Sequence, residues 1–588
     1  MPLRPWMMPS LAALFIAAYI LPLGVRPLFV PDECRYAEIP REMLESGEWV
    51  VPRLDGVRYF EKPVLGYWLT GISMGALGQN NFAVRLPAAL SAALTALAVF
   101  FLVRRFGGGV AHAAAAAMAL LTSVMFFVTG CSAILDMPLT MFVSGGMVFF
   151  YFAYRAEGPE VKALHLALFG LCIGGAFLVK GFLALVIPCL IIVPFVLWER
   201  GPFDGTQGRP EPGRKGGGRG LFRLAWIPAA VAALLSAPWA ILIHLREPDF
   251  WHYFIWIEHV HRFFSAHAQH VEPVWYFAPV ILGAMAPWTV FLPAAVIGLR
   301  RRGLNDSFLR FALSWAVFPF LFFSLSRGKL ETYILPCLPP LAALIVSGLF
   351  AYLEQPRRKL FNAGAWLLSG VLFAASAAVV VCGAVGISPI LYAADEAWKW
   401  LILAGAALVW ASLAMFAARC KRPQESMVLL LSGPWLVMAA AHFALPRSVE
   451  AYYTPAALLR RNAPRVVPQQ PLFSRAGTVP ATCWYYKRSD VGLLESRGEL
   501  EYGLDDFSDA GVRVIRERRF AKFISGCAPE TLVTVVFFRD YYDRKRADLP
   551  PPEFEDVSGG FVLAQYRGGA RTPAPGRKWA VPNAGKGQ

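Results

Sequence analysis

Apolar runs separated by short polar breaks recur along the chain as far as about residue 446. A bilayer's hydrocarbon core takes about 20 apolar residues per helix, and the spacing of the breaks predicts roughly 13 spans. They fall near 9–30, 65–80 or slightly later, 111–129, 137–154, 164–179, 182–198, 222–244, 276–298, 308–325, 333–353, 361–386, 397–418 and 427–445. The second is the least defined, since Gly66 to Val103 is long enough for one tilted helix or a helix pair. From Pro446 to Arg567 the pattern changes to short apolar runs ("PLFSRA", "TLVTVVFF", "GFVLAQY") between charged stretches, which predicts a small α/β domain. The expected fold is an α-helical polytopic membrane protein: a transmembrane unit over 1–446, an α/β domain over 447–567, and a Pro/Gly-rich tail over 568–588. No internal repeat of fixed period is visible.

Composition agrees. Of 588 residues 56% are hydrophobic and 16% charged, with mean hydropathy +0.48, more apolar surface than one soluble core hides. The N-terminal run is longer than the 7–15 residues of a cleavable signal's apolar region and reads as a retained anchor. The net charge of +16 raises nucleic acid as a partner. However, the basic residues (Arg104 and Arg105; Arg155 and Lys162; Arg300 to Arg302; Arg357 to Lys359; Arg419, Lys421 and Arg422) sit in short loops at alternate ends of the spans. That is positive-inside topology and argues against nucleic-acid binding. It places loops 31–63, 130–136, 246–275 and 327–332 outside, with everything after about 446. Nine cysteines show no metal-ligand spacing; Cys483 and Cys527 fall in the outer domain, where a disulfide is allowed. The Gly/Pro/Arg-rich stretch Gly201 to Gly220 reads as a cytoplasmic loop without chemistry.

The outer loops hold the candidate chemistry. In "PDECRYAEIPREMLESG", Asp32 can cap a helix ending at Gly47, with Arg35 and Tyr36 on its face and Pro40 as a kink. This helix would lie at the membrane surface; the plainer reading is that its charges only face water. In "RYFEKP", Lys62 can meet a lipid phosphate, with Glu61 orienting it or holding a metal; otherwise Lys62 snorkels and Tyr59 is a belt aromatic. Asp136 is either an acid paired or used at the rim of a span or a helix cap before Pro138, and Lys180 either snorkels or joins the same site. The segment Arg246 to His270 carries His252, His259, His261, His267 and His270 around Glu258 without HExxH spacing; there His259 could join Glu61 and Arg262 could clamp phosphate. Loop 327–332 and its flank add Arg327, Lys329 and Tyr333.

The motifs "PDECRYAEIPREML", "GVRYFEKP", "LVKGFLAL", "REPDFWHYFIWIEHVHRF", "GKLETYILP" and "RGELEYGL" closely resemble the bacterial lipid A 4-amino-4-deoxy-L-arabinose transferase family, from Pro31 to Tyr566. The resemblance implies a C-type, polyprenyl-phosphate-dependent glycosyltransferase with about 13 membrane helices and a periplasmic domain. It would move aminoarabinose from undecaprenyl phosphate to a lipid A phosphate at the periplasmic face of the inner membrane, conferring polymyxin resistance. Carried over residue by residue, it implies Asp32 and Asp136 as the two essential acids and Lys62 beside the carrier phosphate. Glu61 and His259 would be ligands of a divalent metal, zinc, and Arg35, Tyr36, Tyr59, Lys180, Arg262 and Tyr333 would line the cavity. Cys34 and Pro40 depart from the usual small polar residues. The expected partners are the lipid-linked donor, lipid A and membrane lipid, with the chain a monomer. The alternatives are a mannosyl-type transferase acting on protein and, less favoured because the ionisable groups gather at the rim and not at mid-membrane, a transporter or flippase.

Overall fold

A computed structural model describes residues 7–200, 223–261, 271–385, 392–505 and 513–569. Eight helices are long and apolar enough to cross a membrane among the described residues, ten if each of two bent pairs is one span. The other runs expected to cross form shorter or less apolar helices at Pro9–Gly24, Leu183–Glu199 and Pro423–Ala441. Glu331–Leu353 is the most enclosed span, whereas Trp226–Arg246 and Lys359–Cys382 lie at the periphery. Small residues let backbones approach in the centre: a Cβ on Gly298 would meet the Gly348 carbonyl, and one on Gly348 the Ala295 carbonyl.

Of the two readings of Gly66 to Val103, the structure has the helix pair, with the crossing in its later member. Leu65–Leu77 is a 13-residue helix, too short to cross, and the crossing is the 26-residue helix Asn81–Phe106. Asn81 Nδ2 donates to the Arg26 carbonyl at 3.1 Å, so this span starts at the end of the bundle where the first one finishes. The Leu65–Leu77 helix therefore turns back at that end.

The stretch Asp32–Ser46 is a helix closed by Gly47 in the left-handed conformation (φ 71°), as expected. One detail differs from expectation: Pro31 occupies the cap position with no side-chain cap bond, so Asp32 is not a cap; Pro40 lies inside the helix. Most of its charges do not face water either: Glu33, Arg35, Glu38, Arg41 and Glu42 are buried, and Asp32 and Glu45 near its ends are exposed. The helix is sandwiched between the bundle and the C-terminal α/β unit. One apolar cluster joins Ile39 and Met43 of this helix to Tyr59 and Phe60 of its loop, Trp239 and Phe254 of the bundle, and Leu472, Val479 and Leu504 of the C-terminal unit.

That unit holds a six-stranded sheet ordered β5(Val514–Ile515), β4(Gly492–Leu494), β3(Leu472–Ser474), β6(Leu532–Phe538), β8(Phe561–Arg567), β7(Phe554–Ser558). The first four strands are parallel and the last two pairings antiparallel. A two-stranded ribbon, β1(Arg53–Leu54) with β2(Val57–Arg58), projects from the first loop against it. Gly503 sits so close to the Arg58 backbone that a Cβ there would collide with it. Cys483 and Cys527 are both free, and Cys483 Sγ faces Asp55 at 3.4 Å, which rules out the disulfide that composition allowed.

Asp55 is the polar pin of this docking. Its Oδ1 accepts from the Val491 N–H at 2.8 Å, while Glu42 accepts from the Asp55 and Gly56 N–H groups at 2.7 and 3.0 Å. Burial pushes the Asp55 carboxyl up to about 8, with Arg513 pulling the other way, and burial also raises Glu42 and Glu38. The folded chain thus keeps a proton on Asp55 that the unfolded chain loses near about 4. This group's contribution to stability is full below that pH and is lost as pH rises through 8. Neighbouring Lys487, lowered to about 8 by burial, acts with the opposite sign, but only above that pH. Asp55→Asn keeps the acceptor oxygen, so its melting temperature is expected to fall less than the wild type's between pH 6 and pH 8. Equal falls in thermal melts would remove Asp55 from this role.

Candidate active site

Three groups of charged side chains come together at one end of the bundle, below the Asp32–Ser46 helix. The first is built on that helix. Asp32 is 58% exposed and its Oδ1 lies 3.4 Å from Arg35 Nη1. Arg35 reaches across to the C-terminal unit, where its Nη2 is 2.9 and 2.8 Å from the two oxygens of Glu499, and Tyr59 Oη donates to Glu499 Oε2 at 3.2 Å. Arg35 Nε is buried with no partner among the described residues. Glu499 is 37% exposed, and burial together with the charges of Glu61 and Asp32 pushes its carboxyl up against the pull of Arg35.

The second group is Asp136 with Lys180. Asp136 opens the helix Asp136–Arg155, but Leu135 holds the cap position; the carboxylate instead accepts from Lys180 Nζ at 2.7 Å. Both side chains are largely buried, and Lys180 Nζ also lies 5.5 Å from the centre of the Tyr333 ring. Lys180 can reach because it is the last residue of Pro159–Lys180, which Gly181 stops at φ 75°. It joins the site and does not snorkel away.

The third group is Lys62, whose Nζ lies 2.6 Å from Glu258 Oε1 and 2.8 Å from the Glu61 carbonyl. Glu258 is on the π-helical turn His252–His261. It is therefore Glu258, and not the Glu61 carboxylate, that orients the lysine.

Tyr36 ties the groups together. Burial raises its phenol, and the charges of Asp32, Asp136 and Glu61 all add to that rise. Its ring lies 6.1 Å from that of Tyr67, whose buried hydroxyl has no partner among the described residues. Glu61 also bears on Tyr59 and Glu499. Asp32, Arg35, Tyr36, Tyr59, Glu61, Asp136, Lys180 and Tyr333 are thus brought to one end of the bundle, and Lys62 is held by Glu258. The His259 side chain and Arg262 lie outside the described residues. Among those described, no three His, Cys, Asp or Glu side chains gather as a metal site requires. Without His259 the carboxylate Glu61 does not make up a metal site.

Sequence reasoning missed Glu499 and Glu258 as partners of Arg35 and Lys62, although both stand in motifs that carried the family resemblance. It also missed Glu33, which is 5% exposed and whose carboxylate gathers the framework. Arg85 Nε and Nη2 donate to it at 2.7 and 2.8 Å and Arg26 Nη1 at 2.5 Å; the Phe29 and Ala133 N–H groups each donate at 3.0 Å. One carboxylate thereby binds the start of the Asp32 helix, the loop leading to Asp136, and two spans. These bonds hold the carboxyl well below its usual range despite burial.

A family model described as Dolichyl-phosphate-mannose-protein mannosyltransferase matches residues 5–254, and one described as Arabinosyl transferase ArnT, C-terminal domain, matches residues 451–565. The undecaprenyl phosphate-α-4-amino-4-deoxy-L-arabinose arabinosyl transferase of Aeromonas salmonicida is 35% identical over 578 residues, covering 97% of this chain and 100% of its own. The chain belongs to the undecaprenyl phosphate-aminoarabinose arabinosyl transferase family. The family's Pectobacterium atrosepticum member is 36% identical over 564 residues, 95% of this chain and 97% of that one. Crystal structures of ArnT from Cupriavidus metallidurans share the transferase fold. The apo form has a TM-score of 0.75 at 24% identity and the form bound to undecaprenyl phosphate 0.74 at 23%, each covering 95% of this chain and 98% of that one.

Proposed function

We propose that this chain transfers 4-amino-4-deoxy-L-arabinose from undecaprenyl phosphate to a phosphate group of lipid A. The observation that carries the proposal is the gathering of Asp32 and Glu499 on Arg35 and of Asp136 on Lys180 at one end of the bundle, with Lys62 on the same loop as Asp32. Such a site offers anionic groups to a cationic aminosugar and a cation to its phosphate. The anomeric C–O bond to the carrier phosphate breaks, and its electron pair leaves on undecaprenyl phosphate. A lipid A phosphate oxygen forms the new bond to the anomeric carbon. The transition state is oxocarbenium-like, so negative groups near the sugar and positive groups near the departing phosphate both lower the barrier. A phosphomonoester has a second pKa near about 6, so the acceptor is already an anion at neutral pH and no proton has to be removed. The roles follow: Asp32, Glu499 and Asp136 hold the ammonium and the developing cation, Lys62 and Arg262 hold the carrier phosphate, and Arg35, Tyr36, Tyr59, Lys180 and Tyr333 shape the wall.

Removing Lys62 takes away one charge-assisted contact, worth about 1.5–3 kcal/mol. Lys62→Ala is expected to bind undecaprenyl phosphate about ten- to a hundredfold more weakly, read by titration of the purified protein. Unchanged affinity would exclude Lys62 from the phosphate. Glu61 with His259 would supply ligands to a divalent metal, zinc, which when bound neutralises phosphate charge. Metal content of purified wild type above that of Glu61→Gln with His259→Ala supports this, and equal content refutes it.

The chain would act as a monomer in the bacterial inner membrane with the site facing the periplasm, and its product would lower outer-membrane charge and so confer polymyxin resistance. The clustering of basic helix ends away from the site supports that orientation. A membrane-impermeant thiol reagent added to spheroplasts should label a cysteine placed at Asp490 and not one at Arg357; the reverse would invert the topology. A mannosyl donor has no ammonium to engage these acids. Reconstitution with each lipid-linked sugar, plus lipid A or a protein acceptor, decides between the donors by the mass of the product.

A further inference from the structure

At the end of the bundle away from the site, the helices Leu292–Arg302, Leu338–Leu353 and Lys359–Ala384 meet around a cavity of about 500 Å³. Arg301, Arg357 and Lys359 line it with Tyr352 and Gln355, Arg301 donating to the Gln355 amide oxygen, and among the described residues no Asp or Glu lines it. Three other cations at this end are held in ion pairs: Arg302 with Asp306 at 2.8 Å, Arg310 with Glu199 at 2.5 Å and Arg422 with Glu425 at 2.7 Å. Arg357 and Lys359, by contrast, have no ion pair among the described residues. Tyr352 Oη already accepts from the Leu360 N–H at 3.2 Å, which leaves its proton to donate into the cavity.

The apolar side of the cavity continues along the membrane. Leu360 at its rim, Leu367 and Val371 are 39, 59 and 57% exposed, at i, i+7 and i+11 on one face of the peripheral helix. A cationic hollow opening onto an unpartnered apolar stripe matches a headgroup phosphate with its acyl chain. We propose that this hollow binds the phosphodiester headgroup of an anionic phospholipid of the leaflet opposite the active site, with one acyl chain against Leu360, Leu367 and Val371. Basic pockets between membrane helices take such headgroups. The lipid would hold together the far ends of three helices, one of which continues through the bundle to Tyr333.

The test uses the full-length purified protein in zwitterionic detergent, titrated with phosphatidylglycerol, phosphatidylcholine or inorganic phosphate and read by native mass spectrometry and thermal melts. Phosphatidylglycerol is expected to stay bound and raise the melting temperature, whereas phosphatidylcholine and inorganic phosphate should not. Each of Arg301→Gln, Arg357→Gln and Lys359→Gln is expected to weaken phosphatidylglycerol about fivefold, from about 1 kcal/mol per surface cation. Arg419→Gln with Lys421→Gln, basic residues of the same end outside the hollow, should change nothing. Equal retention of phosphatidylglycerol by the hollow variants would overturn the proposal, as would an equal effect of the Arg419 and Lys421 control. A shift by inorganic phosphate alone would overturn the lipid assignment. Single substitutions at these surface positions leave the core intact, and melts without lipid confirm it.

Discussion

Asp32→Asn is expected to lower transfer about 100- to 1000-fold while undecaprenyl phosphate still binds with wild-type affinity. The magnitude is that of removing one preorganised electrostatic group from a reacting centre. The selectivity comes from where Asp32 stands: its side chain is 58% exposed and among the described residues pairs with Arg35 alone, at 3.4 Å, so little of the fold depends on it. The amide keeps the shape and removes the charge. Single-turnover sugar transfer and carrier titration, measured on the same preparation, separate the two effects. Loss of carrier binding at wild-type melting temperature would mean that Asp32 belongs to the phosphate and not to the sugar.

Glu33→Ala should be the most damaging substitution to the fold. It strands Arg85 and Arg26 beside each other without the shared carboxylate and leaves the Phe29 and Ala133 N–H groups unpaired. Breaking a buried pair from one side costs about 3–5 kcal/mol because the remaining charge is uncompensated. The expected result is a melting temperature several degrees lower and little protein recovered from the membrane. Glu33→Gln retains an acceptor oxygen and should fall between. Wild-type stability of Glu33→Ala would show that these segments are held together by other means.

Much of this was legible in the chain. The apolar runs located the bundle, and the outer loops contained Asp32 with Arg35 and Asp136 with Lys180 and Tyr333, which the fold pairs. The misreadings have physical causes. Leu65–Leu77 is as greasy as a span, and apolar character alone does not tell a crossing helix from one that turns back. The helix Asp32–Ser46 is expected at the membrane surface but packs under the C-terminal unit, because its charges find partners far away in sequence: Arg35 pairs with Glu499, 464 residues on, and Glu33 with Arg85. Hydrophobic periodicity reports local burial and is blind to such pairs. The C-terminal unit thus contributes to the site a carboxylate that hydrophobic periodicity does not mark.

The most direct measurement is the mass of lipid A from a strain lacking this gene, with wild type or Asp32→Asn restored. Wild type should yield lipid A carrying aminoarabinose on phosphate, and Asp32→Asn unmodified lipid A at equal protein levels. Unmodified lipid A with wild type restored and the donor lipid present would contradict the account.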